Sequence, residues 1–184
     1  PLTMFQGVKS LPPGHLMTLS KNGLSIKTYF DVYKKTERNI VSLGEAKQEI
    51  ASKFEQAVKR QMISEVPLGA FLSGGIDSSS IVAMMQKMSN TPVKTFTVKF
   101  QEAAYNESKI AQEVANHLGT NHHEIEIPNA EFSQSLFWEI VEHTGSPFSD
   151  SSAIPTYLIC KEIKKHVMVA LSGDGGDELF GGYD

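Results

Sequence analysis

The spacing of hydrophobic positions changes along the chain, and each change marks an element. Ala46, Ile50, Phe54, Val58 and Met62 recur every fourth residue, the stripe of an amphipathic helix. Ser42 is placed to cap its start, with Glu45 three residues on to complete a capping box. Ahead of that helix the pattern is β-like. Short runs at 15–20 and 24–30 flank Lys21-Asn22-Gly23, and Asn-Gly is a strong hairpin signal, so the spacing predicts a β-hairpin. Leu11-Pro12-Pro13-Gly14 before it is turn chemistry. The polar, mixed residues 31–44 read as a linker.

From residue 66 onward strands and helices alternate. Apolar runs predict strands at 68–72, 93–100, 122–127 and 167–171. Between them lie helical patterns at 77–88, 107–118, 130–143 and 154–165. Met84, Met85 and Met88, with Ile81 and Val82, are core positions of the first of these. Gly119 stands where a helix C-terminus favours glycine, and Pro155 is tolerable in a first turn. Alternation of this kind implies right-handed crossovers and an α/β fold, a parallel sheet with flanking helices. Ligands in such sheets bind beyond the carboxyl ends of the strands, which directs attention to the residues after Leu72, Val98 and Leu171.

Composition narrows the function classes. With 184 residues, 40% hydrophobic and 21% charged, the chain can bury a core and is not a disordered segment. A net charge of −4 argues against a general nucleic-acid binder and a basic membrane-surface protein. The longest apolar run, 167–171, is far too short to span a membrane. The single cysteine, Cys160, excludes an internal disulfide and a Cys-rich zinc site, and its helical context reads as core. A reducing cytoplasm is the default compartment. The chain opens at Pro1 and closes at Asp184 just after a glycine pair, so it reads as a piece of something longer.

Two loops carry candidate chemistry. The first is Ser73-Gly74-Gly75-Ile76-Asp77-Ser78-Ser79, between a strand and a helix. Gly74 and Gly75 let backbone amides approach an anion, and the helix N-terminus adds unpaired N–H groups. Ser73, Ser78 and Ser79 add hydroxyls, so the loop suits a phosphate chain. It lacks the Gly-Lys-Ser/Thr ending of a Walker A loop. Asp77 would repel a bare phosphate, so its carboxylate makes sense with Mg²⁺ between them. The bland alternative is a glycine turn with Asp77 and the serines as caps. It weakens because five of six positions match the Ser-Gly-Gly-x-Asp-Ser signature.

The second loop follows the strand at 167–171. Residues 172–182 hold five glycines and three carboxylates, Asp174, Asp177 and Glu178. Crowded carboxylates repel one another unless a cation or donors offset them, and a divalent metal is the obvious offset. The bland alternative is an acidic surface loop.

Other residues read as structural. His122 and His123 are adjacent in a strand, so they point to opposite faces and chelate together poorly. His143 and His166 sit at element ends. Trp138 with Phe137 reads as packing. Lys161, Lys164 and Lys165 suit a helix C-terminus.

Together the two loops resemble the synthetase domain of glutamine-dependent asparagine synthetases, and the first resembles the pyrophosphate loop of N-type ATP pyrophosphatases. Further stretches agree: Val66-Pro67-Leu68-Gly69-Ala70-Phe71-Leu72, Ala111-Gln112-Glu113-Val114-Ala115-Asn116-His117-Leu118-Gly119, and Asp150-Ser151-Ser152-Ala153-Ile154-Pro155-Thr156. The resemblance implies an adenine nucleotide alpha hydrolase-like (HUP-type) fold with a five-stranded parallel sheet at 45–184. Residues 1–33 resemble the end of the family's N-terminal glutaminase domain, and 34–44 the linker between the two.

The resemblance also implies a reaction. Mg-ATP activates the side-chain carboxylate of aspartate as an acyl-adenylate, and glutamine-derived ammonia displaces AMP. By position, Ser73, Gly74, Gly75, Asp77 and Ser78 grip pyrophosphate and Mg²⁺. Phe71 or Leu72, through backbone atoms, and Val98 contact adenosine. Ser172 and Gly173 approach the nucleotide and the activated acid. Asp177 serves metal and pyrophosphate, and Glu107 matches an acidic position near them. Asp174 stands where well-known members carry Glu for ammonia, one methylene shorter. The glutaminase nucleophile and the C-terminal helices of the acid pocket lie outside the chain, so the piece alone is expected to be inactive. The resemblance leaves a homodimer open. The competing readings are a β-lactam synthetase-like or other amidotransferase acting on a different acid, and a non-catalytic nucleotide-binding module.

Overall fold

The computed structural model describes residues 2–32, 34, 42–99, 107–126, 133–145 and 152–182. The expectations that touch Phe100, Ile127, Ala130, Asp150, Ser151 and Tyr183, and most of the 31–44 linker, lie outside the described residues.

The chain begins with a two-stranded antiparallel hairpin, β1 (His15–Ser20) and β2 (Gly23–Thr28), joined by Lys21-Asn22. Gly23 sits at φ 108°, a conformation that the Asn-Gly turn needs. Met17 pairs with Ile26 and Leu19 with Leu24 across the strands, so one face is apolar, and all four are exposed.

Helix α1 (Leu43–Gln61) starts at the predicted capping box. The Ser42 hydroxyl accepts from Glu45 N–H at 3.2 Å, and the Glu45 carboxylate accepts from Ser42 N–H at 2.9 Å. After it come β3 (Leu68–Phe71), α2 (Ile76–Met88), β4 (Lys94–Lys99), α3 (Ser108–Leu118), β5 (Asn121–Glu126), α4 (Gln134–Thr144), α5 (Ala153–Ile163), β6 (Val169–Leu171) and a short α6 (Gly176–Phe180). The predicted alternation holds with ends shifted by a few residues. Gly119 closes α3 at φ 69°, as its position foretold. Helix α6 was not expected from the sequence, where 172–182 read as loop throughout.

Four parallel strands form the sheet among the described residues, against the five implied by the resemblance. Their order is β5-β4-β3-β6. Register pairs Ala70 with Thr95 on one side and with Leu171 on the other. The order reverses at β3: β4 and β5 are laid to one side of it and β6 to the other. A reversal of this kind opens a crevice beyond the carboxyl ends of the two neighbouring strands.

Each face of the sheet has its own core. On one, Val58 of α1, Val82 and Met85 of α2, and Ala111 and Ala115 of α3 pack with Ala70, Leu72 and Val93. Met84 and Met88 pack against this group, as their spacing predicted. On the other, Phe96 and Ile125 meet Ile163 and Val167, with Phe71, Ile159 and Ala170 at the margin. Two expected core residues are not core. Trp138 is 53% exposed, edge-on to Phe137 at 5.3 Å between ring centroids, because α4 buries Ile140 instead. Cys160 lies in α5 as expected but is exposed, since α5 meets the sheet through Ile159 and Ile163. Among the described residues no helix is long and apolar enough to cross a membrane.

Candidate functional site

The first glycine-rich loop leaves β3 at its carboxyl end. Leu72 is buried, and its N–H donates to Phe96 O at 2.8 Å, so the ladder carries the chain one residue past the strand. Phe71 and Leu72 belong to opposite cores, which anchors the loop's entry from both faces. Gly74 then adopts φ 85°. A Cβ there would lie 2.8 Å from Ile110 Cγ2 and 3.0 Å from Ala111 N, so only glycine lets the loop rest on the first turns of α3. Gly75 is the N-cap of α2, and Asp77 falls in that helix's first turn, where the dipole favours a carboxylate.

Inside the loop the hydroxyls of Ser73 and Ser78 lie 2.9 Å apart. Ser78 Oγ also accepts from Ser73 N–H at 3.2 Å and donates to Gly75 O at 3.3 Å. Ser79, expected as a third hydroxyl of the loop, has its Oγ buried with no hydrogen-bond partner among the described residues. It lines a groove of about 560 Å³ between α2 and α3, with Ile76, Ala83, Val114 and Leu118.

The second loop leaves β6, the neighbour of β3 in the sheet. The Ser172 hydroxyl donates to Asp174 Oδ2 at 2.8 Å. Gly176 N–H donates to Gly173 O at 3.2 Å, tightening the turn into α6. Asp177 stands in the first turn of α6, and its carbonyl accepts from Gly181 N–H at 2.8 Å and Gly182 N–H at 3.2 Å.

The two loops touch. A Cβ on Gly173 would lie 3.0 Å from Ser78 N and 3.2 Å from Asp77 Cβ. A Cβ on Gly176 would lie 2.5 Å from Asp77 Cγ. Glycine at both positions lets the second loop close over the start of α2. Gly176 was missed as a site residue, although the Gly175-Gly176 pair just before Asp177 was the signal that pointed to it.

The other expected site residues fall around this seam. Val98 is half-buried near the carboxyl end of β4, and Glu107 is the exposed N-cap residue of α3, one turn before Ala111. Of the carboxylates crowded along 172–182, Asp174 accepts from the Ser172 hydroxyl. The Asp177 carboxylate is turned toward Gly182, whereas Asp77 faces Gly176. Among the described residues no three His, Cys, Asp or Glu side chains group to hold a metal ion. One or two carboxylates beside a phosphate-binding loop fit Mg²⁺, which takes such ligands together with phosphate oxygens.

The histidines behave as their spacing predicted. His122 turns to Thr95 Oγ1, 2.9 Å from its Nδ1. His123 turns to the opposite face and stacks on Phe96 and on His166, both at 5.4 Å between centroids. Burial pushes both imidazoles below their usual range, with neighbouring cations adding to the effect at His123. Both lie toward the amino-terminal half of β5, away from the loops.

Paired glycine-rich loops over the carboxyl edge of a parallel sheet, meeting where the strand order reverses, define a nucleotide-site architecture of the α/β class. The chain belongs to the asparagine synthase family, whose model matches residues 49–184. It is 41% identical over 187 residues to asparagine synthetase (glutamine-hydrolysing) 1 of Bacillus subtilis, covering 100% of this chain and 29% of that protein. It is 33% identical to asparagine synthetase (glutamine-hydrolysing) 3 of the same organism, covering 98% of this chain and 31% of that one. Amidase chyE of Penicillium rubens is 32% identical over 99% of this chain and 30% of its own length. The chain thus spans about a third or less of the curated relatives it matches.

Proposed function

We propose that this chain forms the ATP-using part of a glutamine-dependent asparagine synthetase. The reading rests most on one observation: Gly173 and Gly176 bring the second loop onto Ser78 and Asp77, so that the two loops meet at the start of α2. Residues 45–184 are the synthetase portion, 34–44 a linker, and 1–33 the end of a glutaminase domain.

In this reading the reaction has two halves. The aspartate side-chain carboxylate attacks the α-phosphorus of ATP, an acyl-adenylate forms, and pyrophosphate leaves. Ammonia released from glutamine then attacks the acyl carbon and AMP departs. Ser73, Gly74, Gly75, Asp77 and Ser78 build the pyrophosphate loop. Bound Mg²⁺ would supply charge neutralisation on the phosphates, and one or two of the carboxylates Asp77, Asp177 and Glu107 would hold it together with phosphate oxygens. The backbone at Phe71 and Leu72, with Val98, bounds the adenosine side. Ser172 and Gly173 face the nucleotide and the acid, and Asp174 receives ammonia. The chain's own contribution is orientation and preset N–H donors, which stabilise charge on the leaving pyrophosphate.

The test uses the full-length protein with Mg-ATP, aspartate and ammonia, and separates nucleotide products by chromatography. AMP and pyrophosphate formed only with aspartate support the reading. ATP bound without AMP formation removes aspartate as the acid and favours another carboxylic substrate. The same stretch also aligns with a protein named as an amidase, which makes the identity of the acid the first thing to measure.

A further inference from the structure

We propose that His123 and His166 form a pH-sensitive latch: as neutral rings they stack and hold the connection between α5 and β6 on the sheet, and with a proton on each they repel and loosen it. The latch lies at the amino-terminal end of β6, whose other end leads into the second glycine-rich loop.

Three rings make the contact. Phe96, buried in β4, and His123 are direct partners in the β4–β5 register, and their rings stack at 5.4 Å between centroids. His166, in the connection between α5 and β6, stacks on His123 at 5.4 Å and lies tilted against Phe96 at 5.7 Å. Lys94 Nζ ties down the same connection by donating to His166 O at 3.4 Å. Just beyond, Met168 N–H donates to Pro67 O at 3.0 Å, and the three-residue strand β6 begins. A strand this short opens as one unit with its flanks.

The groups around His123 are apolar or basic. β4 contributes Lys94, the α5–β6 connection contributes His166, and α5 meets this face through Ile159 and Ile163. Of the charged residues of α5, Lys161 is paired with Glu139, and Glu162 with Lys165 of the connection. Lys164 adds a further positive charge to the connection. On β5 itself, His122, Glu124 and Glu126 alternate to the opposite face, where both carboxylates meet Lys99. A protonated His123 therefore faces Lys94 and a protonated His166, with no carboxylate among these groups to offset them. Burial, reinforced by these two neighbours, holds its imidazole below the usual 6.5. The loosened arrangement takes up the proton more readily than the latched one. The latch is thus closed above about 6.5 and is lost as pH falls through the latched value.

Which half moves follows from what else holds each ring. Phe96 attracts a protonated ring on its face, and β5 is paired with β4 over six residues, so His123 keeps its place. The α5–β6 connection is the mobile half. Val167, buried with Phe96, Ile125 and Ile163, still anchors it, so release takes the form of more frequent opening rather than detachment.

Amide hydrogen exchange in the full-length protein tests this, from about pH 7.5 to about pH 5.5 and corrected for intrinsic rates. Exchange at Val167 and Met168 is expected to gain on those rates as pH falls, by up to about tenfold per pH unit for each proton taken up on opening. The Leu72 amide, bonded to Phe96 O, reports global stability and should gain less. No gain at Val167 and Met168, or an equal gain at Leu72, would overturn the proposal. His166→Phe keeps a ring on the stack and removes its proton, so it is expected to suppress the gain at Val167 and Met168. An undiminished gain in that variant would overturn the latch as well. Should the variant fail to fold, the unmodified protein still decides by NMR. Overhauser contacts between the His123 and His166 rings are expected at neutral pH and lost as both rings titrate. Contacts that persist once both carry a proton would overturn the proposal.

Discussion

Gly176 lies against the carboxylate of Asp77: a Cβ at position 176 would come within 2.5 Å of both Asp77 Cγ and Oδ2. This contact joins the first turn of α6 to the first turn of α2, and with it the two glycine-rich loops. In most helices Gly→Ala stabilises by about 1 kcal/mol through propensity alone. Here the added methyl meets only the far end of the Asp77 side chain, which rotates aside at little cost, so Gly176→Ala is expected to leave stability in chemical denaturation within about 1 kcal/mol of the unmodified protein. It is expected to weaken Mg-ATP binding, because the Asp77 carboxylate is turned out of its place. Unweakened Mg-ATP binding would show that the placement of Asp77 against Gly176 does not serve the nucleotide.

The cap of α1 yields a prediction independent of the site. Ser42 Oγ is the acceptor for Glu45 N–H and sits at the head of a 19-residue helix that contributes Val58 to the core. Ser42→Ala removes that acceptor and should cost about 1 kcal/mol, the usual penalty for losing a serine N-cap. Ser42→Asp should retain most of the stability, because its carboxylate also accepts. The comparison of the two unfolding midpoints separates the cap from any general effect of substitution at 42.

His122 makes stability depend on pH. Thr120 Oγ1 donates to Ala115 O at 3.5 Å, Thr95 Oγ1 lies 3.0 Å from Thr120 Oγ1, and His122 Nδ1 lies 2.9 Å from Thr95 Oγ1. All three bonds are made at once only if Thr95 donates to Thr120 and His122 donates from Nδ1. The Nε2 lone pair is then buried with no partner. Protonation would place an N–H there without an acceptor. Burial lowers the folded pKa below the reference of 6.5, against an opposing pull from Glu124 and with a further push from His123. The unfolded chain thus takes up its proton first as pH falls, so stability present above about 6.5 is lost as pH drops through the folded value. His123 is shifted the same way and adds to the slope. His122→Gln should flatten the fall in melting temperature between neutral and mildly acidic pH. An unchanged slope would assign the effect to His123 alone.

Which features were legible in the sequence follows from how local their causes are. The capping box needs only Ser42 and Glu45, and the close of α3 only Gly119, so both were readable. The strand–helix alternation was readable because each element carries its own period. Trp138 was not: which side of α4 is covered depends on where α5 lies, and α5 packs beside Glu139, whose carboxylate meets Tyr157 at 2.6 Å and Lys161 at 3.2 Å. Cys160 was misread for the same reason. The two loops were recognisable by their glycines, but their contact was not, because it depends on β6 lying beside β3. Proximity along the chain also misled. Asp174 and Asp177 are three residues apart, yet one is held by Ser172 and the other turns to Gly182.

The carboxylates of the two loops give the most discriminating prediction. If Asp77 serves the phosphates and Asp174 serves ammonia, the two substitutions should fail at different steps. Asp77→Asn leaves the shape of the first loop but removes the charge beside Gly176. In the full-length protein it should reduce pyrophosphate release and asparagine formation together, by on the order of 10²-fold, as when a charge-stabilising group is lost. Asp174→Asn keeps an oxygen within reach of the Ser172 hydroxyl and leaves the first loop untouched. Aspartate-dependent pyrophosphate release should then continue, while asparagine formed from ammonia falls by on the order of 10²-fold, the usual contribution of a general base. The ratio of pyrophosphate to asparagine measures the split: near unity in the unmodified protein and in Asp77→Asn, and well above unity in Asp174→Asn. A ratio near unity in Asp174→Asn as well would place Asp174 with the nucleotide, and would leave the handling of ammonia to residues outside this chain.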